Sequence, residues 1–417
     1  MRVDRAAEVR SRAALAVGRG AGRLSQVLGR GSGTMIGGRT ALRLAPGTLA
    51  TVARGRTTAL VTGTNGKSTV TALVAAAMGA GGSVACNSTG ANMPDGIVTA
   101  LDADRTSPMA ALEVDEVYLE AVVAATRPRA LVVLNAYREY TRGVSLASTL
   151  QHWRAVAQKL GEDCAAIINV DDPLVCWAYE PAARRVGVAG GLSWHADAAL
   201  CPACGAAHVW DDAGWHCPGC GRSRPTPQWR VSGGDEAGWT IEHPAGTTAL
   251  RVTVPGRTGP VGGAFALAVA STLGLDLAEA AARIAAVSDV DGRYLPFDVD
   301  GRSARLLMLK NPAGWAEAID LAVGSGSPVV LAVDPFGPKD TTTMWEAPFE
   351  RLADREVCVT GGRSADALAI LEAAGVAAVE AGDAISAISS RDRGEVLVAC
   401  NYPAFRRISK LLRTGAP

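Results

Sequence analysis

The sequence predicts an α/β protein. It has a parallel-sheet domain with a phosphate-binding loop, a four-cysteine zinc ribbon inserted into that domain, and a smaller α/β domain after it. Three observations predict this. Short apolar, β-branched runs alternate with helix-length segments from Thr57 onward, the pattern of a sheet covered on both faces. One of those runs leads directly into Gly-Thr-Asn-Gly-Lys-Ser-Thr, and two Cys-Pro-x-Cys-Gly turns interrupt the alternation between about 196 and 224.

The chain has 417 residues, enough for two to four domains at roughly 100–200 residues each. Apolar residues make up 48% and charged residues 20%, so a substantial core is available. Basic and acidic residues balance at 41 each, which argues against a chain-wide polyanion-binding or membrane-coating role, though not against a local basic patch. The apolar stretch Gly262–Leu275 is shorter than the ~18–20 residues a membrane span requires. The N-terminus spreads arginines among Asp4 and Glu8 and lacks the compact apolar core of a secretion signal, so a cytoplasmic protein is expected.

The elements follow in order. Ala6 to Leu28 reads as a helix with arginines on one face. A solvated helix packed on the main body is the plain reading; a nucleic-acid or lipid contact is the alternative. Ser32–Arg39 reads as a glycine-rich loop. Thr57–Gly63 is a buried strand, and the segment from Val70 to Ala80 is a helix. Further strands are expected at Ser83–Thr89, from Met109 running into a helix, at Ala130–Ala136 and at Cys164–Pro173. Short strands are expected within 228–254, then helix from Ala264 to Val287 with a break near Leu273–Asp276. A second αβ pattern starts near Ser303, with helices at Trp315–Val323, Ala365–Ala374 and Ala404–Leu412. This divides the chain into an N-terminal segment 1–50, a central domain 51–297 and a C-terminal domain 298–417.

The loop Gly63, Thr64, Asn65, Gly66, Lys67, Ser68, Thr69 carries the strongest chemistry. Glycines let successive backbone N–H groups turn toward phosphate oxygens, and the helix that follows adds its positive end. Lys67 can neutralise β- and γ-phosphates, and Ser68 can offer its hydroxyl to Mg²⁺. The chain has five lysines against thirty-six arginines, so a lysine at this position carries weight. Glu113 ends a strand expected beside this loop, where a carboxylate can reach Mg²⁺; Asp115 and Glu116 follow it and read more simply as helix N-terminal acids. Asp171 and Asp172 end another strand and read as a cap or turn. Cys201, Cys204, Cys217 and Cys220 form two pairs separated by twelve residues, a spacing that suits one tetrahedral Zn²⁺ in a closed, structural site. The other five cysteines lie in or beside apolar runs and read as reduced thiols.

Taken together, these motifs resemble the Mur ligase superfamily. Gly63–Thr69 resembles its ATP loop and Asn169–Val175 its strand-end segment. The zinc ribbon, Ser88–Ile97, Leu112–Glu116, Leu309–Trp315, Asp340–Trp345 and Thr360–Val376 narrow the resemblance to its MurT branch. The resemblance implies ATP-dependent amidation of the α-carboxylate of D-glutamate in the lipid II stem peptide, through an acyl phosphate. It implies ammonia from a GatD-like glutaminase partner in a heterodimer, with ATP, Mg²⁺ and Zn²⁺ as cofactors. A cytoplasmic protein, peripheral at the inner face of the membrane through its lipid-linked substrate, follows. By the same resemblance Lys67 and Ser68 serve ATP and Mg²⁺, Glu113 serves Mg²⁺, Asn92 and Asp95 lie near a substrate loop, and Asp340 completes the partner's Cys–His site. Two segments depart from the family: Asn135–Gly143 keeps Asn135, Arg138 and an acid but loses a second aspartate, and Gly259–Ala270 lacks asparagines at its helix start. Two alternatives therefore stay open: a MurT-like ligase for a different carboxylate, and a nucleotide-binding scaffold without ligase activity.

Overall fold

A computed structural model describes residues 5–28, 34–87, 91–139, 143–235, 238–254, 256, 258–287, 294–336, 341–389 and 395–414. The chain forms two compact units. The first comprises 1–136, 145–192 and 198–288; the second comprises 137–144, 193–197 and 289–417.

The first unit is built on six parallel strands: β1 (Thr57–Thr62), β2 (Val84–Cys86), β3 (Met109–Glu113), β4 (Ala130–Val133), β5 (Ala165–Asn169) and β6 (Arg185–Val188). Their order is β2-β3-β1-β4-β5-β6. The chain crosses from β3 back over β1 to β4, so β1 sits at the switch point where ligands of open parallel sheets bind beyond the strand ends. Pairing Val61 with Glu113 and Thr62 with Val133 brings the ends of β3 and β4 to either side of the end of β1.

Alternation along the strands divides the core in two, because successive side chains point to opposite faces. Leu60, Leu112, Leu131, Val133, Ala166 and Ile168 face one cluster. Val61, Ala111, Val132, Ala165 and Ile167 face the other. The first face is covered by α1 (Arg5–Val27), α2 (Thr34–Leu44), α3 (Thr48–Ala53), α5 (Pro94–Ala103), α6 (Leu119–Thr126), α7 (Leu146–Lys159) and α8 (Pro173–Tyr179). The second is covered by α4 (Lys67–Met78), α9 (Thr258–Thr272) and α10 (Leu277–Ala285), with a three-stranded antiparallel meander of β9 (Arg230–Asp235), β10 (Gly238–His243) and β11 (Gly246–Leu250). A small hairpin, β7 (Val209–Asp211) and β8 (Gly214–His216), belongs to the cysteine insert.

The second unit is also a six-stranded sheet. It contains β12 (Tyr294–Val299), β13 (Arg302–Met308), β14 (Val329–Ala332), β15 (Val357–Thr360), β16 (Ala378–Glu380) and β17 (Val396–Cys400), in the order β12-β13-β17-β14-β15-β16. β12 is an antiparallel edge and the other pairings are parallel. Its helices are α11 (Pro312–Ser325), α12 (Ser364–Ala373), α13 (Ala384–Ser389) and α14 (Tyr402–Thr414). No described helix is long and apolar enough to cross a membrane.

One expectation fails clearly. Ser32–Arg39 reads as a loop, yet from Thr34 the chain is helical. Gly37 and Gly38 lower helix propensity, but tertiary packing overrides it. A Cβ on Gly38 would come within 1.8 Å of the Asp95 carbonyl oxygen, and one on Gly18 within 2.5 Å of the Gly37 carbonyl oxygen. The glycines are there so that α1, α2 and α5 can lie backbone to backbone. The helix expected from Ala264 likewise begins six residues earlier, at Thr258, where Gly262 and Gly263 lie against Leu73 and Leu250.

This packing predicts opposite outcomes for two glycines. Gly38→Ala should destabilise the protein by about 1–3 kcal/mol, because backbone must shift to admit the methyl group. Gly20→Ala, at a mid-helix position of α1 with open space around it, should stabilise by roughly 0.5–1 kcal/mol. Denaturant unfolding of the two variants checks both signs.

Candidate functional site

The candidate site is the loop between β1 and α4. Gly63 and Gly66 adopt φ of 133° and 83°, conformations that other residues resist. A Cβ on Gly63 would press within 3.0–3.2 Å of Leu134 and the Asn135 backbone. Gly66 is the N-cap of α4 and makes no side-chain cap, so the amides at the start of the helix are left to an incoming acceptor.

Asn135, just beyond β4, grips the loop. Its Oδ1 accepts from the Asn65 N–H at 2.8 Å, its Nδ2 donates to the Asn65 carbonyl at 3.1 Å, and its own carbonyl accepts from the Thr64 N–H at 3.1 Å. Asn135 is in turn fixed through its neighbour: the Ala136 N–H donates to Asp172 Oδ2 at 2.8 Å. The other oxygen of Asp172 caps α8, accepting from the N–H groups of Leu174 and Val175 at 2.9 and 3.2 Å. The cap reading of this Asp-Pro step therefore holds for Asp172.

On the other side, Glu113 ends β3 and is 2% exposed. Its Oε2 accepts from the Ser68 hydroxyl at 2.7 Å and its Oε1 from Asn92 Nδ2 at 3.0 Å. Lys67 is 3% exposed. Its ammonium donates to the carbonyls of Gly63 and Thr64 and lies 3.2 Å from Glu116 Oε1. The structure thus brings Lys67, Ser68, Glu113 and Asn92 around one loop. Asp95 pairs with Arg39 at 3.3 Å. Asp340 lies outside the described residues.

Sequence reasoning underrated two residues here. Glu116 is the partner of Lys67 rather than a solvated helix acid. Asn87, at the end of β2, accepts from the Glu113 N–H at 2.8 Å and donates to the Glu113 carbonyl at 2.9 Å, clamping that strand end. Asparagine at or just past the end of an apolar strand run was the available signal in both Asn87 and Asn135.

The residues suit a nucleotide and a hard cation. The loop backbone is open to an anion at the helix start, the Thr69 hydroxyl is buried without a partner among the described residues, and a hydroxyl with a carboxylate is an oxygen donor set of the kind Mg²⁺ takes. The cysteine insert suits Zn²⁺. The four sulfurs lie within 4.8 Å of one another, and no other His, Cys, Asp or Glu group among the described residues clusters this way. Each pair sits on a tight knuckle: Gly205 N–H donates to the Cys201 carbonyl at 2.8 Å and Gly221 N–H to the Cys217 carbonyl at 2.9 Å, with φ of 76° and 73° at the glycines. His208 is not a ligand; its ring bonds the Ala198 carbonyl at 2.7 Å and meets Trp215 edge-on.

The ribbon is tied to the strand end that supports the loop. The Trp215 indole donates to the Val170 carbonyl at 2.9 Å, Arg224 pairs with Asp171, and Arg222 reaches Glu180 at 3.2 Å. In the second unit, Arg138 of the divergent run pairs with Asp197 and with Glu346 at 2.5 Å, and Glu139 pairs with Lys310 at 2.6 Å.

No family model matches this chain. The MurT subunit of lipid II isoglutaminyl synthase (glutamine-hydrolyzing) from Streptococcus pneumoniae is 26% identical over 369 residues, covering 81% of each protein. Among solved structures, a pseudomurein peptide ligase type C from Methanothermus fervidus superposes over 90% of this chain and 84% of its own, with a TM-score of 0.66 at 13% identity. MurF from Acinetobacter baumannii covers 90% and 80% with a TM-score of 0.67 at 12% identity. MurF ligase from Thermotoga maritima, solved in complex with ADP, covers 88% and 82% with a TM-score of 0.62 at 16% identity. The chain has the Mur ligase fold. Within that fold its sequence is similar to that of a MurT subunit, at 26% identity.

The two kinds of thiol give a chemical prediction. Ejecting the metal from the ribbon should release one zinc per chain and expose Cys201, Cys204, Cys217 and Cys220 to a thiol reagent at pH 8. Cys164, Cys176 and Cys400 should stay silent until the chain is denatured, because burial raises their pKa. Burial, and then the adjacent Glu113 carboxylate, push the Cys86 thiol up to about 11, so its thiolate forms only as pH rises through that value. Zinc release and thiol counting read both halves. A separate variant, Asn135→Ala, should weaken nucleotide binding about tenfold, the scale of losing a loop clamp worth ~1.4 kcal/mol, in a fluorescent-nucleotide titration.

Proposed function

We propose that this chain is the ligase subunit of an ATP-dependent amidating enzyme of peptidoglycan synthesis. Its substrate is the α-carboxylate of D-glutamate in the lipid II stem peptide, and its product is D-isoglutamine. The observation that carries the reading is the joint position of Lys67, Ser68 and Glu113 around one glycine loop, in a chain related to a MurT subunit. The ribbon cysteines Cys201, Cys204, Cys217 and Cys220 hold Zn²⁺ as a structural centre.

A carboxylate does not condense with ammonia unaided, because the departing oxygen is a poor leaving group. A carboxylate oxygen attacks the γ-phosphorus of ATP, the bond to the β-bridging oxygen breaks, and ADP departs. Ammonia then attacks the acyl carbon of the resulting acyl phosphate, inorganic phosphate leaves with the bonding pair, and the nitrogen gives up a proton. Backbone amides of Gly63–Thr69 and the start of α4 hold the phosphates, and the Lys67 ammonium offsets charge moving from the γ-phosphoryl to the leaving oxygen. Ser68 and Glu113 would hold Mg²⁺, which would supply charge neutralisation for the phosphates when bound. Asn87 and Asn92 act as positioning residues for Glu113.

The ammonia comes from a GatD-like glutaminase subunit, and Asp340 serves that partner's site. A second reading has two sequence features in its favour. The Asn135–Gly143 run and the glycine-rich start of α9 differ from the family pattern, which suits a MurT-like ligase for another carboxylate.

The test is ATP turnover by the purified pair with glutamine and lipid II. Amidated lipid II is the expected product; turnover only with another acid would favour the second reading, and nucleotide binding without turnover would leave a scaffold. Lys67→Ala should lower turnover on the order of 100- to 1000-fold with zinc content unchanged. Asp340→Asn should lose glutamine-driven amidation and keep amidation driven by added ammonium; equal loss with both nitrogen sources would remove Asp340 from the glutaminase role.

A further inference from the structure

Helix α1 is turned with its larger aliphatic side chains outward. It buries Ser11, Ala14, Leu15, Gly18, Gly22 and Ser25 against the first unit. Its opposite side exposes Val9, Val17, Leu24 and Val27, at 66%, 54%, 60% and 84%, with Leu28 at 59%. At 100° per residue these side chains, with the exposed Ala13, Ala16 and Gly20 between them, form one continuous stripe along the helix. An ordinary surface helix does the reverse: it buries its branched aliphatics and leaves polar groups in water.

Arginines border this stripe. Arg5, Arg12, Arg19 and Arg23 lie along one edge and Arg10 along the other. Arg12 and Arg19 are engaged with Glu8 and Asp102, while Arg5, Arg10 and Arg23 are exposed. Residues 1–44 hold nine arginines against two carboxylates, in a chain whose formal net charge is zero. Five of these arginines, with one of the two carboxylates, lie on α1 itself, beside the apolar stripe.

We propose that α1 is a membrane-surface contact that lies in the plane of an anionic lipid bilayer, with Val9, Val17, Leu24 and Val27 inserted among the lipids and the bordering arginines on the headgroups. Apolar residues flanked by arginines are the pattern of a helix lying in the interface, and the side chains are too few and too interrupted to span one. The charge pattern selects the occupant. A nucleic acid would meet the arginines but leave the aliphatic stripe without a partner, since α1 has no aromatic residue to stack on bases. An anionic lipid surface satisfies both. This inference goes beyond the proposed reaction and does not depend on it; a bilayer contact would equally serve a chain acting on any lipid-linked substrate.

Vesicle flotation with the full chain and no substrate tests it. Binding to vesicles containing phosphatidylglycerol should be about tenfold tighter than to phosphatidylcholine alone, and should weaken as salt rises. Val17→Asp with Leu24→Asp should lose vesicle binding while the melting temperature and nucleotide affinity stay unchanged, because both side chains are exposed and far in sequence from the glycine loop. Arg10→Glu with Arg23→Glu should lose the preference for anionic lipid. The proposal is overturned if phosphatidylglycerol vesicles are not bound, or if the aspartate variant binds them as well as the parent. It is overturned equally by self-association that the aspartate variant abolishes in the absence of vesicle binding, which would assign the stripe to a second copy. Salt-sensitive RNA binding without vesicle binding would assign the arginines to a nucleic acid.

Discussion

The Asn135 amide on the glycine loop is the interaction on which the rest of the site depends. A loop with φ of 133° and 83° at two glycines has many other conformations open to it, and glycine loses more freedom on ordering than any other residue. Two hydrogen bonds between one side chain and both backbone groups of Asn65, with a third in which the Asn135 carbonyl accepts from the Thr64 N–H, choose one of them. The clamp works because β4 is paired directly with β1, so the residue after β4 arrives beside the loop without a long tether. Glu113 arrives on the opposite side by the same logic through β3.

The clamp is itself supported from a distance. Asp172 holds the residue next to Asn135, and the segment containing Asp172 is bound at Val170 and Asp171 by Trp215 and Arg224 of the cysteine insert. The insert therefore does more than occupy a surface loop: its hairpin is the wall against which the end of β5 is set. A closed four-thiolate centre suits that duty, since it fixes short chain segments that have little apolar core of their own. The tight knuckles at Gly205 and Gly221 are the local means, and the buried Trp215 is the apolar anchor.

Much of this was legible in the sequence because the signals are local. The β1–loop–α4 unit reads from a β-branched run, two glycines and a lysine; the ribbon reads from two Cys-Pro-x-Cys-Gly turns; the alternation of strand and helix predicts both sheets. The relatives and the fold agree with the parallel-sheet ligase architecture those signals suggested. What was missed depends on segments distant in sequence. Helix α2 looks like a loop because its two glycines are costly in isolation, and only the backbones of Gly18 and Asp95 explain them. Glu116 looks like a helix-start acid until Lys67 is seen 3.2 Å away, and Asn87 looks like one more residue of the strand expected at Ser83–Thr89 until β2 is paired with β3.

The pairing of Lys67 with Glu116 bears on why a chain so rich in arginine keeps a lysine here. Both groups are nearly buried, and a buried charge without a partner is expensive. With Glu116 beside it, the ammonium is already stripped of water before a phosphate reaches it. On the proposed reading, the exchange of a carboxylate oxygen for phosphate oxygens then carries little further desolvation cost, and the charge is in position when the phosphoryl group moves. An arginine would project a planar fork of donors into a loop whose carbonyls at Gly63 and Thr64 converge on one point. The compact ammonium fits that convergence and can swing between carbonyls, carboxylate and phosphate on its flexible stem.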